Sequence, residues 1–207
     1  MKKSPVSGRA RHDATSMQQT TVWFCFVLIV SFGTAWCRGA DESPHLERDY
    51  NVTPVPFNQV DVSDSFWTPR LETNRKVTIP YAFEQCEETG RIGNFEKAAG
   101  LKKGEHKGAS FNDSDVYKIM EGAAYSLQVR PDPKLRSYLD RLVRVVGKAQ
   151  WDDGYLFTAY SVPERQPQKL WTNIQWVHEL YCVGHMYEAA VAHHEVTGDD
   201  TFLNIAK

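Results

Sequence analysis

The densest run of chemistry-bearing side chains is His178-Glu-Leu-Tyr-Cys-Val-Gly-His-Met-Tyr-Glu188. On a helix, His178, Tyr181, His185 and Glu188 follow a 3-4-3 spacing and share one face. Two imidazoles, a phenol and a carboxylate are costly to bury without partners, so this stripe suits the wall of a wet pocket. It equally suits a set of satisfied packing residues between two helices. A metalloprotease site is excluded. His178-Glu179 opens like H-E-x-x-H, but the fifth position is Cys182. His178 and His185 are two turns apart, roughly 10 Å along an axis, too far to share one metal ion. No metal site is expected within these residues.

Two further groups carry candidate chemistry. Asp113-Ser-Asp-Val-Tyr-Lys118 opens a helix, where carboxylates cap and where Asp115 could also reach a pocket rim. Asp115 and Glu121 are six residues apart and share no face, so they are not read as an acid/base pair. Gln150-Trp-Asp-Asp-Gly-Tyr-Leu156 is a turn whose Gln150 and Asp153 could meet a polyhydroxyl ligand.

Helices must position these groups. Pro69 suits the first turn of one that Thr68 could cap; Pro80 should kink or split it and Gly90 end it. Residues 91–111 are rich in Gly and Lys and read as a long loop. A second helix starts at Asn112, capped by Asp113 or Ser114, and runs to about Leu127. A third opens at Pro131-Asp-Pro133 with Asp132 as cap and a clean apolar stripe of Leu135, Leu139, Leu142, Val145 and Val146. A fourth covers about Asn173 to Val196, stopped by Thr197-Gly198, and Asp199-Asp200 caps a fifth. One short strand is expected near Phe57 to Val62. Helices of mixed character alternate with plainly amphipathic ones, as in stacked helix hairpins, and no fixed-period repeat favours a solenoid.

Composition is that of an ordinary globular chain: 207 residues, 42% hydrophobic and 24% charged, with net charge -2. That balance gives no footing for a nucleic-acid partner or a polybasic membrane contact. Residues 1–40 read as a secretory signal. Lys2, Lys3, Arg9 and Arg11 form a basic stretch, an apolar run spans Val22 to Phe32, and small residues follow. The run is short for a membrane span, so no stable span is expected, although an uncleaved anchor is the rival reading. Cleavage after Gly39 or after Cys37 satisfies the small-residue rule equally. Residues 41–56 form a polar lead-in, in which Asn51-Val-Thr53 is a glycosylation sequon only in a host that glycosylates and a chance match otherwise. Beyond the signal, Cys86 and Cys182 lie in helical patterns and read as buried thiols, with a single disulfide as the alternative.

Taken in order, several blocks resemble one family. Phe66-Trp67 with Pro69-Arg70 and Asn74-Arg75, then Glu87-Glu-Thr-Gly-Arg-Ile-Gly-Asn-Phe95, look like the opening of the β-L-arabinofuranosidase family GH127 (DUF1680). Asp113-Ser-Asp-Val-Tyr-Lys118 with Glu121-Gly-Ala-Ala-Tyr125, Ala149-Gln150 with Asp153-Gly-Tyr-Leu156, and His178-Glu-Leu-Tyr-Cys-Val-Gly-His185 continue the match from residue 57 to 207. The resemblance implies an all-α fold, part of an (α/α)6 toroid built of helix hairpins. It implies a hydrolase releasing terminal β-L-arabinofuranose or a related sugar from plant glycans or glycoproteins, which the signal at residues 1–40 would make a secreted one. It implies a zinc-held cysteine thiolate as nucleophile, with a separate Glu as acid/base. None of those catalytic residues maps onto this sequence. They are expected downstream of Lys207, and zinc is expected only in the full-length relative. Residues 57–207 are too few for twelve helices, so a truncated and inactive piece of the barrel is expected. Substrate contacts carried over are His178 and His185, with Asp115, Gln150 and Asp153 beside them. The alternative is a non-catalytic carbohydrate-binding or helical scaffold protein.

Overall fold

Proline and glycine punctuate the first helices. In the computed structural model, which describes residues 52–162 and 170–207, Trp67–Thr73 forms α1 and Ile79–Glu88 forms α2. Between them Asn74–Thr78 widens into a π turn, with Ile79 N bonded to Asn74 O, five residues back. Pro80 lacks an N–H and its ring excludes the carbonyl four residues earlier, so the ladder slips just before it. The expected kink is therefore a π turn. α2 buries Ile79, Phe83 and Cys86, and ends at Gly90, whose φ of +82° only glycine adopts at little cost.

The expected loop from residue 91 is wrong over its first third. Arg91–Ala98 is a helix, α3, burying Ile92 and Phe95. Its polar side chains then organise the rest of the segment. Asn94 is fully buried, accepting from Lys107 N and donating to Lys107 O, both at 2.9 Å; Lys97 Nζ donates to Glu105 O at 2.7 Å. The expected strand near Phe57 is also absent. Phe57–Gln59 is one 3-10 turn, its ring edge-on to Tyr125, and the described residues contain no strand for it to pair with.

α4 (Asn112–Val129) and α5 (Pro133–Ala149) follow. Asp132 caps α5 as expected, its carboxylate accepting from Lys134 N at 2.9 Å and Leu135 N at 3.1 Å. The buried face of α5 carries Leu139, Leu142 and Val146, while Arg141 reaches Glu87 and Glu96 on α2 and α3. Short helices α6 (Thr158–Ser161) and α7 (Ile174–Val177) lead to α8 (Glu179–Thr197) and α9 (Thr201–Ala206). Gly198 stops α8 as expected, and Asp199 alone takes the Thr201 N–H and hydroxyl. α4 and α8 make the most extensive helix contact. Ala123, Ala124, Ala189 and Ala190, all fully buried, let helices approach closely. Described residues of Pro54–Lys207 form one compact unit; Val52 and Thr53 belong to the other, and the signal and most of the lead-in lie outside the described residues.

Asp113 does not cap α4. Phe111 stands at the N-cap with no side-chain bond, and the Asp113 carboxyl, fully buried, reaches across to Thr158. It accepts the Thr158 N–H at 2.7 Å and the Thr158 hydroxyl, fixing the start of α6. Burial pushes Asp113 up to about 7, against the pull of both Thr158 bonds. The unfolded chain releases this proton near pH 4, whereas the folded chain keeps it to about pH 7. The contribution is thus complete below pH 4 and lost as pH rises toward 7. Asp113→Asn keeps both Thr158 bonds but cannot titrate. Urea unfolding at pH 4.5 and 7.5 should show the wild type losing roughly 3 kcal/mol more than the variant over that interval. Equal losses would show that Asp113 does not titrate there.

Candidate functional site

α8 begins with a backbone break that the sequence reading placed inside one continuous helix. His178 adopts φ +67°, closing α7 and opening α8. A side chain bearing Cβ holds this left-handed conformation at a cost of roughly 1 kcal/mol or more. The His178 Nδ1 lies 2.9 Å from Trp176 O. A carbonyl only accepts, so Nδ1 carries the proton and Nε2 is left as an acceptor. The ring rests 5.1 Å from Phe111 and 5.9 Å from Tyr181, centroid to centroid.

From there the stripe is as spaced. Tyr181 stands edge-on to His185 at 4.7 Å, and His185 Nδ1 faces Glu188 Oε2 at 3.0 Å. Two residues on α4 complete the surface. Lys118 Nζ lies 2.7 Å from the Tyr181 hydroxyl and 4.7 Å from its ring centroid. Tyr125 sits further along, its phenol raised first by burial and then by Glu121, Glu195 and Glu188. α4 and α8 thus share an accessible band of alternating donors, acceptors and aromatic faces. Such a band suits a ligand rich in hydroxyls, whose C–H faces stack on rings while its oxygens bond the flanking polar groups.

The other expected contacts are engaged within the protein. Asp115 pairs with Arg91 Nε at 2.8 Å. Gln150 Nε2 donates to Gly154 O at 3.0 Å and Ile205 O at 2.8 Å. Asp153 accepts from Tyr155 N at 3.0 Å, closing the turn. Gln150 and Asp153 line a cavity of about 280 Å³ with Trp171 and Tyr187. A second cavity of about 420 Å³ lies between α2 and α5. His178, His185 and Asp115 line neither of these two.

Glu179, Lys118 and Thr158 are the residues that sequence reasoning missed. Glu179 is 1% exposed; its Oε1 accepts from the Tyr155 hydroxyl at 2.7 Å and from Trp171 N at 3.2 Å, and Oε2 has no hydrogen-bond partner. Both bonds come from the segment before α8, which no helical periodicity connects to it. Behind the band, Cys182 lies against Phe111 O, its thiol pushed up to about 12 by burial and by Asp113. Cys86 is buried in the other apolar cluster, its thiol raised to about 11 by burial. Among the described residues, no three His, Cys, Asp or Glu side chains converge to hold a metal ion.

Comparison with known proteins gives consistent matches. The chain is 44% identical over 169 residues to a non-reducing end beta-L-arabinofuranosidase from Bifidobacterium longum, covering 72% of this chain and 26% of that protein. Its structure is similar to a solved GH127 beta-arabinofuranosidase, with a TM-score of 0.69, 49% identity, and coverage of 74% of this chain and 25% of the other. It is also similar to a GH127 beta-L-arabinofuranosidase from Geobacillus stearothermophilus T6, with a TM-score of 0.68, 41% identity, and coverage of 71% and 24%. The chain therefore spans about a quarter of the length of these relatives. The model of the beta-L-arabinofuranosidase GH127 catalytic domain matches residues 59–207, and the chain belongs to that glycoside hydrolase family.

Proposed function

We propose that this chain supplies part of the sugar-binding wall of a secreted β-L-arabinofuranosidase-type hydrolase. Its substrate is a carbohydrate bearing terminal β-L-arabinofuranose, of the kind the matched relatives are named for. The observation that carries the reading is the band across α4 and α8, where His178, Tyr181, His185 and Lys118 sit together at accessible positions. The helix arrangement supports a toroid of hairpins: α4 and α8 lie side by side, both with mixed faces, while α5 is amphipathic in the manner of an outer-layer helix.

The family resemblance assigns the reaction to a zinc-held cysteine thiolate. The described residues do not fit that group. Cys86 and Cys182 are buried in separate clusters, their thiols stay protonated at neutral pH, and no set of ligands surrounds either. We assign nucleophile, acid/base and zinc to parts of the relatives that this chain does not span, and no step is drawn through them. Export rests on residues 1–40. Among the described residues, no helix is long and apolar enough to cross a membrane.

Titration of histidine-labelled protein with methyl β-L-arabinofuranoside should shift the His178 and His185 resonances and leave buried His193 unmoved. His178→Ala should weaken binding about tenfold, ~1.4 kcal/mol, the worth of one good hydrogen bond. Ligand shifts that avoid both imidazoles would end the assignment of this band. With nitrophenyl β-L-arabinofuranoside the chain should release no nitrophenol, and measurable turnover would overturn the placement of the nucleophile outside it. Expressed in an exporting host, the secreted protein should begin at Arg38 or Ala40 by N-terminal sequencing. An unprocessed Met1 on membrane-bound protein would instead favour the anchor.

A further inference from the structure

Trp171 and His178 are the only non-glycine residues with positive φ among those described, at +61° and +67°. They lie seven residues apart, and the same buried side chain sits at both. Glu179 follows His178 directly, and its Oε1 holds the Trp171 N–H. The same oxygen takes the hydroxyl of Tyr155, whose ring is packed against Trp151 at 5.0 Å and Trp171 at 5.1 Å. Strained backbone persists only where surrounding structure over-determines it. Here the over-determining group is a carboxylate fixed inside the fold by Tyr155. From that anchor the chain must turn left-handed at His178 to enter α8, and the turn places the imidazole against Trp176 O with Nδ1 as donor.

We propose that Glu179 is a positioning residue. Its buried acceptor ties down Trp171 and the left-handed turn at His178, so that the His178 ring is presented with Nε2 free to accept from a sugar hydroxyl. The last clause rests on the reading of His178 as a sugar contact; the anchoring does not. The role needs an acceptor oxygen rather than a charge, because Oε1 alone receives both donors and Oε2 has no partner.

Glu179→Gln and Glu179→Met separate acceptor from shape, since methionine keeps the length and removes the oxygen. In histidine-labelled protein, imidazole nitrogen resonances should report the Nδ1–H form of His178 in wild type and in Glu179→Gln. In Glu179→Met that form should be lost to the mixture a free imidazole shows. Affinity for methyl β-L-arabinofuranoside should fall about tenfold in Glu179→Met and stay within about twofold in Glu179→Gln, as expected for losing or keeping one positioned hydrogen bond. Should the stranded Tyr155 hydroxyl prevent Glu179→Met from folding, Tyr155→Phe/Glu179→Met removes both partners and carries the same expectation. An unchanged His178 tautomer in the Met variant, or its equal loss in the Gln variant, overturns the proposal. A tautomer change in a protein that binds no methyl β-L-arabinofuranoside at all supports the anchoring and refutes only the sugar reading.

Discussion

Two carboxyl groups buried at the starts of two neighbouring helices hold this structure in register. Asp113, in the first turn of α4, grips Thr158; Glu179, the first residue of α8, grips Tyr155 and Trp171. All three gripped residues belong to the long connection between α5 and α8. That connection is therefore tied across the N-terminal ends of both helices. Its own apolar anchors, Tyr155, Phe157 and Ala159 around Cys182, form the smaller core cluster beneath. A buried carboxyl without donors is too costly to persist, and a buried N–H without an acceptor costs about 1–3 kcal/mol. Each grip thus needs its partner.

The consequence reaches the surface. The band that carries the candidate chemistry lies on the accessible side of the same helix pair, its first member one residue from Glu179. Lys118 on α4 can meet Tyr181 on α8 because fully buried alanines let the two helices run close. Packing fixes the lateral distance between the two halves of the band. On the positioning role proposed for Glu179, its grip fixes the longitudinal start of α8, and with it the height of His178. Larger side chains at Ala123 or Ala189 would separate the halves without touching any polar group.

What could be read from the sequence divides along physical lines. α5 was legible because its signals are local: Asp132 caps, Pro133 sits at the first turn, and the stripe from Leu135 to Val146 keeps helical spacing. The alternation of helices and the stop at Gly198 were legible for the same reason. α3 was not, because eight residues containing Gly93 and Asn94 resemble a loop, and only the burial of Ile92 and Phe95 against distant helices makes them a helix. Asp113 looked like a cap because capping is the usual task of Asp at a helix start; its actual partner, Thr158, is 45 residues away. The break at His178 leaves no mark in the sequence, since a left-handed histidine looks like any other. Tyr181, His185 and Glu188 were legible as one face because they do lie on one helix.

The two imidazoles show how such a band could discriminate between ligands. His178 Nδ1 faces a backbone carbonyl, and His185 Nδ1 faces the Glu188 carboxylate at 3.0 Å. The Trp176 carbonyl only accepts, so in the neutral His178 ring the proton belongs on Nδ1 and the lone pair on Nε2, whereas His185 Nδ1 lies near Glu188 without a hydrogen bond to it. The surface therefore offers the His178 imidazole acceptor at the start of α8 and, across Tyr181, the ammonium of Lys118, a strong donor. A hydroxyl satisfies both kinds of neighbour, giving its proton to an imidazole and its lone pair to an ammonium. A carboxylate or phosphate would meet Lys118 well but face the His178 lone pair and the Glu188 carboxylate. A cation would meet the imidazoles but face Lys118. On the proposed reading of this band as a sugar contact, the pattern favours a neutral polyol over either sign of charge, through the His178 nitrogen that the Trp176 carbonyl keeps protonated.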